Sequence, residues 1–365
     1  MLIPSLVPSV LTGVAGHLAY RFFEPRNLWW HFVLLVIVPL SLTPIHVPHY
    51  HLVISAALVA WSSYVITLVI CTIAHRLSPF HPLAKYPGPF ICKVTKIHFA
   101  LVSMGGKQHI YFNELHRRYG DVVRTGPNEL NFCTPELIAP MLGPRGMPKA
   151  ELAGSDTISP ALCSLFYFII CNPVAYSRLQ SEIDNSHTSP EDVQGLSQLP
   201  YLNAALMETL RIIPPVLSGV ARSPLPGSGG FMLGPHLIPE GTTVGMHMYT
   251  LHRDPRNFFL PDRFIPERWL PAEQQLALEP ELFQNRAEVV HKPDAFIPFS
   301  YGPADCIGKR FAWQEMRALV CAVLQRFHLQ SVEGYDKATW EADMYDYFVL
   351  KKASLPVVLT RRSLQ

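Results

Sequence analysis

The sequence has 365 residues, of which 49% are hydrophobic and 16% are charged, with a net charge of +2. Such an apolar composition, with a mean hydropathy of +0.17, indicates a membrane component beside one large domain or two ordinary ones. The small net charge argues against nucleic acid or another acidic partner, and seven scattered cysteines without a CxxC pair argue against a zinc site and favour a reducing compartment.

The N-terminal part has the composition of a membrane anchor, because no Asp, Glu, Lys or Arg lies between Arg26 and Arg76. Residues 52–74 predict a helix about 34 Å long, which exceeds a hydrocarbon thickness of about 30 Å. Residues 28–44 predict a second crossing and residues 3–20 a weaker one. We expect one to three transmembrane helices, no cleaved signal peptide, and the rest of the chain in the cytosol by the positive-inside rule.

A proline-rich segment, residues 79–90, predicts a stiff hinge between an anchor at residues 1–78 and a globular domain at residues 91–365. At the start of the domain, residues 107–119 show the spacing of an amphipathic helix. Residues 120–133 predict two short strands around the turn at 126–128.

Ala153-Gly-Ser-Asp-Thr157 opens an apolar helix predicted over residues 153–170. Asp156 beside Thr157 is suited to proton relay, although both residue types are equally good helix caps. Pro148 predicts a helix start near Lys149, and Pro160 predicts a kink that frees the carbonyl of Asp156. A second helix is predicted at residues 174–183.

The helix predicted at residues 201–212 carries Glu208 and Arg211 one turn apart, which alone most often indicates a surface ion pair. Further along, Arg222 is on its own compatible with an arginine in solvent. Arg268 belongs to the segment Phe264-Ile-Pro-Glu-Arg-Trp269.

The most informative segment is Phe299-Ser-Tyr-Gly302-Pro-Ala-Asp-Cys306-Ile-Gly308, which runs into a helix predicted at residues 309–327. The positive end of that helix favours a thiolate at Cys306. Gly302 and Gly308 let the backbone turn and pass close to a flat ligand. A buried structural cysteine is the alternative.

Taken in this order, these segments resemble the cytochrome P-450 family of haem-thiolate monooxygenases, whose haem loop reads Phe-x-x-Gly-x-Arg-x-Cys-x-Gly. Ala304 stands where that pattern has arginine. The resemblance implies a mainly α fold with small β-sheets, behind N-terminal transmembrane helices. It implies haem b, with Cys306 as the axial ligand of the iron and four further haem contacts, namely Phe299, Gly302, Gly308 and Arg222.

The resemblance also assigns oxygen activation to Asp156 and Thr157, and a structural triad to Glu208, Arg211 and Arg268. It implies NADPH-cytochrome P-450 reductase as a partner, with Lys309, Arg310 and Arg317 as docking or merely solvated residues. It further implies a small apolar substrate, contact with membrane lipid, no nucleic acid, and an endoplasmic reticulum membrane with the haem domain facing the cytosol. The chain looks most like fungal members that oxidise terpenoids or other secondary metabolites.

The chain departs from the family in lacking a long segment between about residues 145 and 152. In the family, that segment contains the helices of the distal haem side. We therefore expect that much of the distal region is missing and that the apolar face of residues 153–170 is exposed. Three alternatives to an active monooxygenase stay open: a non-catalytic truncated pseudoenzyme, a mispredicted gene model and, less favoured, a haem-thiolate sensor.

Overall fold

The computed structural model describes residues 3–23, 27–50, 52–144, 147, 157–219 and 221–362. The chain divides into two compact units, Met1–Lys85 and Tyr86–Gln365. The first unit is built from helices: α1 Ile3–Phe23, α2 Leu28–Phe32, α3 Val38–Ser41, α4 Thr43–His46 and α5 Val53–Leu77, with a π-helical turn at Val33–Ile37 and a 3₁₀ turn at Val47–His49.

Among the described residues of the first unit, two stretches are long and apolar enough to cross a membrane, Leu28–His49 and Val53–Leu77. They coincide with the two stronger crossings predicted from the sequence. Helix α1 packs along α5. The Ser9 hydroxyl and His46 Nε2, 2.8 Å apart and buried, tie α1 to α4.

The second unit begins with helices around a β-hairpin: α6 Phe90–Val94, α7 Ile97–Met104, α8 Gln108–Tyr119, β1 Val122–Gly126, β2 Glu129–Phe132, a 3₁₀ turn at Pro135–Leu137 and α9 Ile138–Leu142. The predicted helix at residues 107–119 and the two predicted strands are thereby confirmed.

The middle of the unit holds its long helices and most of its strands: α10 Ile158–Cys171, α11 Pro173–Ser186, α12 Val193–Ser197, α13 Pro200–Ile212, β3 Ala221–Arg222, β4 Phe231–Leu233, β5 His236–Ile238, β6 Thr243–Met246 and α14 Met248–His252. The main sheet has the order β1-β2-β6-β3, in which β2 and β6 are parallel and the other pairs antiparallel. Strand β3 thus places Arg222 at one edge of this sheet.

The C-terminal part completes the unit: α15 Ala272–Leu278, α16 Pro280–Phe283, α17 Lys309–Arg326, β7 Phe327–Ser331, α18 Thr339–Ala342, β8 Tyr345–Tyr347, β9 Val349–Lys351 and β10 Val357–Arg361, with 3₁₀ turns at Pro266–Trp269, Arg286–Glu288, Pro293–Ala295 and Gly302–Ala304. The small strands pair as β10-β7, β4-β5 and β8-β9. The domain is therefore mainly helical, as expected.

The core lies where α10, α11, α13 and α17 pack together. Leu165 and Ile169 of α10, Leu206 of α13 and Val320 of α17 are buried members of one cluster. Helices α10 and α11 would be apolar enough for a membrane span only as a pair, and the chain bends by 113° between them. Burial of the apolar face of α10 against α13 and α17 accounts for its composition without a membrane.

Two expectations for the first of these helices are wrong. Helix α10 begins at Ile158, with Thr157 as its N-cap residue, so it does not continue a helix from Lys149. Pro160 lies in the first turn, where its missing amide hydrogen would have no intrahelical partner in any case, so the physical reason for the predicted kink does not apply. The carbonyl of Asp156 lies outside the described residues.

The expected exposure of the apolar face of α10 is also wrong for its described part. Ile158, Leu162 and Phe166 are partly buried against the core, and Leu165 is fully buried. The reason is that α11, α13 and α17 enclose the helix from several sides. The exposed apolar side chains near the candidate site lie instead beside Cys306, at Tyr301, Ile307 and Phe311.

Candidate functional site

The cysteine loop, residues 299–308, presents its thiol to the surface at the start of α17. The amide of Cys306 donates to the carbonyl of Phe299 at 2.9 Å, and the carbonyl of Cys306 accepts from the amide of Lys309 at 3.1 Å. These backbone bonds close the loop while the thiol of Cys306 stays exposed. The alternative of a buried structural cysteine is therefore wrong for this residue.

The side chain of Phe299 holds the beginning of the loop on the helix that follows it. Its ring centroid is 5.9 Å from that of Trp313, and Phe299 packs against the core cluster shared by α10 and α17. The cysteine loop is consequently anchored at its first residue by apolar packing and at Cys306 by the backbone bond to that same residue.

Gly302 occupies a position that excludes any side chain. Its φ is +80°, and an added Cβ would lie 2.1 Å from the carbonyl oxygen of Leu142, at the end of α9. Both the left-handed backbone and the close approach of α9 require glycine here. Helix α9 is thus a direct support of the cysteine loop, which the sequence did not reveal.

Gly308 differs from Gly302 in what surrounds it. Its φ is −81°, and an added Cβ would contact only Cys306 Sγ, at 3.8 Å, among the described residues. An alanine would therefore fit the protein alone. Any need for glycine at 308 must come from a ligand that approaches Cys306.

We predict that Gly302→Ala and Gly308→Ala separate folding from ligand binding. Gly302→Ala should cost more than about 2 kcal/mol of unfolding free energy, because strain in the left-handed region alone costs about 1–2 kcal/mol. Gly308→Ala should leave the urea midpoint of the ligand-free chain unchanged and lower its affinity for the haem that the resemblance to cytochrome P-450 implies. Equal midpoints for the two variants would contradict this distinction.

Arg222 is a buried cation with unused donors. Its side chain is fully buried, its Nη1 makes a long bond of 3.5 Å to the carbonyl of Ala221, and its Nε and Nη2 have no hydrogen-bond partner within the described ranges. Burial lowers the pKa of Arg222 from its ordinary value. An arginine in solvent, the alternative left open by the sequence, is wrong. Unpaired buried N–H groups are costly and suit an anionic ligand.

Thr157 stands at the N-cap position of α10, yet its side chain makes no capping hydrogen bond in the described part of the chain. Its carbonyl accepts a long bond of 3.4 Å from the amide of Ala161. The half-buried hydroxyl is therefore not used as a cap, which disfavours the capping alternative for this residue. Asp156 lies outside the described residues. No hydrogen bond or ion pair in the described ranges joins Thr157 or Arg222 to the cysteine loop.

Glu208 lies between Arg211 and Arg268, and all three side chains are fully buried. Arg211 donates to both carboxylate oxygens at 2.9 Å, and Arg268 Nε donates to Oε1 at 3.0 Å. Burial alone would raise the pKa of Glu208, but the two guanidinium groups lower it to about 2. A surface ion pair, the alternative considered for Glu208 and Arg211, is thereby excluded.

Two further groups complete the coordination of this carboxylate. The amide of Ile265 donates to Oε1 at 3.0 Å, and Trp269 Nε1 donates to Oε2 at 2.9 Å. Trp269 lies next to Arg268 in the sequence, so a position near Glu208 could have been expected for it. Nothing in the spacing indicated that its indole N–H would donate to the carboxylate.

His252 links this ion cluster to the cysteine loop. Its carbonyl accepts from Arg211 Nη1 at 2.9 Å, and its Nε2 accepts from the amide of Ile297 at 3.0 Å, two residues before the loop begins. Burial, followed by the nearby charge of Arg211, lowers the pKa of His252 to about 3, which keeps the ring neutral and able to accept.

We predict that His252→Phe destabilises the domain by about 1–3 kcal/mol, because the buried amide of Ile297 loses its acceptor. His291→Phe is the matched control, since the side chain of His291 makes no recorded hydrogen bond among the described residues. Urea denaturation of the full chain in detergent measures both. If His291→Phe lowers the free energy of unfolding as much as His252→Phe does, the hydrogen bond between His252 and Ile297 does not account for the loss of stability.

Comparisons with known proteins identify relatives of this chain. The sequence model of the family described as Cytochrome P450 matches residues 149–357. Cytochrome P450 monooxygenase nodW of Hypoxylon pulicicidum is 35% identical over 217 residues, which cover 59% of this chain and 38% of that protein. Cytochrome P450 monooxygenase dtxS2 of Metarhizium robertsii is 35% identical over 215 residues, 58% of this chain and 40% of that protein.

A third relative matches over a greater share of its length. Cytochrome P450 monooxygenase apf8 of Gibberella fujikuroi is 30% identical over 263 residues, which cover 69% of each chain. The chain spans only about two fifths of the length of the first two relatives. These matches confirm the resemblance that the cysteine loop and its neighbouring segments indicated.

Proposed function

Because the chain belongs to the cytochrome P450 family, we propose that it is a haem-thiolate monooxygenase that oxidises a small apolar substrate. The observation that carries the proposal is the exposed thiol of Cys306 in a loop closed by backbone hydrogen bonds. We assign Cys306 as the axial ligand of the haem iron. Phe299, Gly302 and Gly308 shape the loop around it.

The residues present fit a haem, most directly through the buried guanidinium of Arg222, whose Nε and Nη2 have no hydrogen-bond partner among the described residues. Its free N–H groups suit a propionate carboxylate, and with Ala304 unable to pair with one, Arg222 carries more of that contact. Haem b, when bound, supplies an iron whose thiolate ligand favours cleavage of the O–O bond. Gly308 leaves the face of Cys306 open to a flat group.

The protein's own part in the reaction is to hold the loop and to supply protons. Thr157, whose hydroxyl is not used for capping, positions a proton donor at the N-terminus of α10, and Asp156 relays protons to it. Glu208, Arg211 and Arg268 have a structural role. His252 connects them to the segment before the cysteine loop, because it is hydrogen-bonded both to Arg211 and to the amide of Ile297.

Electrons reach the site from NADPH-cytochrome P-450 reductase in the same membrane. Lys309 and Arg310 are exposed beside the cysteine loop and suit an acidic partner. Arg317 is less suited, because its Nε donates to Asn203 Oδ1 at 2.7 Å. The apolar helices near the N-terminus anchor the chain, in the endoplasmic reticulum with the haem domain in the cytosol. A terpenoid-like secondary metabolite is the proposed substrate class.

We predict that Arg222→Leu weakens haem binding about 10- to 100-fold, since a charge-assisted hydrogen bond contributes about 1.5–3 kcal/mol. The same change should raise or preserve the stability of the haem-free chain, because it removes a buried cation without a partner. Haem titration and urea denaturation of the apoprotein measure the two effects. A purely structural Arg222 would instead lose stability in the absence of haem.

The proposed function is tested by the reduced carbon monoxide difference spectrum of the expressed full chain in membranes. A Soret band at the position characteristic of thiolate-bound haem supports it. Absence of that band from a chain that is present and folded contradicts it.

A non-catalytic truncated protein is the second candidate. It is favoured by the short connection between α9 and α10, residues 143–157, where the family has its distal helices. Sequencing the transcript across codons 140–160 separates this candidate from a mispredicted gene: a longer message restores the missing segment.

A further inference from the structure

A cavity of about 200 Å³ lies between α8, α14 and α18, away from the cysteine loop. Ile213, Leu217 and Met344 form its apolar wall, and His109, Tyr249 and Arg253 contribute polar groups. By volume the cavity has room for about six or seven water molecules, or for one short-chain organic molecule.

His109 is the buried polar group that marks this cavity. Its side chain is only 4% exposed, and its Nδ1 has no hydrogen-bond partner among the described residues. Asp346 Oδ2 lies 4.0 Å from that nitrogen. Asp346 is itself buried and accepts from the Ser218 hydroxyl and from the amide of Phe348 at 3.2 Å; burial raises the pKa of Asp346, and these hydrogen bonds oppose that rise.

Asp346 Oδ2, 4.0 Å from Nδ1, favours the neutral tautomer of His109 that carries its hydrogen on Nδ1. In this neutral tautomer the Nδ1–H bond dipole faces the carboxyl group of Asp346. The other ring nitrogen, Nε2, is then a hydrogen-bond acceptor. Burial, followed by the charges of Lys107 and Arg253, lowers the pKa of His109 to about 4, so the ring is neutral near pH 7. His109 therefore offers a neutral hydrogen-bond acceptor.

The charges around the cavity are already compensated. Arg253 Nη1 donates to Asp262 at 2.7 Å, and its Nη2 is 4.0 Å from Glu341 Oε2. The Arg253 guanidinium also lies over the ring of Tyr249, 4.5 Å from its centroid. Lys107 donates to the carbonyls of Ala342 and Met344. Neither an anion nor a cation would find an unpaired opposite charge here.

We propose that this cavity binds a small neutral molecule that donates a hydroxyl hydrogen to His109 and packs an aliphatic chain on Ile213, Leu217 and Met344. A hydroxyl would donate to His109 Nε2, which accepts no hydrogen bond from the described residues, and the aliphatic chain would cover the apolar wall. None of the residues that line the cavity belongs to the cysteine loop.

The test uses the full chain in lipid nanodiscs with 13C-methyl-labelled methionine, titrated with 1-hexanol or with 1-methoxypentane. The two probes have the same number of heavy atoms, but only the alcohol can donate a hydrogen bond. We expect a saturable shift of the Met344 methyl signal, with affinity for 1-hexanol several-fold higher than for the ether. The Met316 methyl signal, from the core of α17, should not move and reports intact folding.

Variants separate the proposed contact from nonspecific partition into the domain. His109→Phe should remove the preference for the alcohol, and Leu217→Trp, which fills the cavity, should abolish saturable binding of both probes. A shift that does not saturate in the unchanged protein, equal affinities for the two probes, or a preference that survives His109→Phe would each overturn the proposal. The comparison of probes on the unchanged protein decides the matter even if a variant fails to fold.

Discussion

Replacing Cys306 by serine is expected to abolish the thiolate-type carbon monoxide difference band of the reduced protein. Cys306 is the exposed cysteine at the start of α17, and the loop that presents it is held by backbone bonds that a serine leaves unchanged. Changes to groups around a metal ligand already cost about 10–100-fold in metal affinity or activity, so loss of the ligand itself should cost more. Monooxygenase turnover should fall below detection.

Cys163→Ser is the matched control for this experiment. Cys163 is partly buried on α10 and packs beside a separate core cluster, so its replacement should leave the difference band in place. The stability of the haem-free chain should be unaffected by Cys306→Ser, because the thiol makes no hydrogen bond with the described residues. A band that persists in Cys306→Ser would disprove the assignment of the axial ligand.

Replacing Glu208 by glutamine is expected to destabilise the domain by about 3–5 kcal/mol, the usual cost of removing one partner from a buried ion pair. The neutral amide would leave Arg211 and Arg268 as buried cations without a counter-charge. It would also weaken the bonds from Ile265 and Trp269. Urea denaturation of the full chain in detergent, followed by tryptophan fluorescence, measures the loss.

The pH dependence of stability is a second test of the ion pairing between Glu208 and its two arginines. The folded pKa of Glu208, about 2, is below the value of about 4.3 for an unperturbed glutamate. Ionised Glu208 therefore contributes about 3 kcal/mol to the free energy of unfolding. This contribution is complete above about pH 4.3 and is lost as the pH falls toward 2. Glu208→Gln should lack this part of the acid destabilisation.

Glu333→Gln serves as the control, since Glu333 is exposed and its change should stay within about 0.5 kcal/mol. A Glu208→Gln variant as stable as Glu333→Gln would show that the ion cluster does not stabilise this domain. Loss of haem in Glu208→Gln together with reduced stability would indicate that the cluster acts through the loop, by way of His252.

The contrast between Gly302 and Gly308 illustrates what the sequence could not resolve. Both were predicted to permit the turn and the approach of a flat ligand. Gly302 turns out to be required by the protein itself, because α9, remote in sequence, packs directly against it. That contact depends on the path of the chain between residues 142 and 302, about which local spacing carries no information.

The sequence by itself determined the family, the helical character, the cysteine loop and the apolar anchor segments, because each depends on residue order or on short-range periodicity. Only the tertiary structure decided the environment of each side chain. It buried Arg222 with two N–H donors unpaired among the described residues and enclosed Glu208 among five donors from four residues. It also used His252 to connect the Glu208 cluster to Ile297. Burial and long-range hydrogen bonds arise only when folding brings together residues that are distant in the sequence. Because a buried charge without a partner is costly, these contacts determine which buried charges the fold can keep.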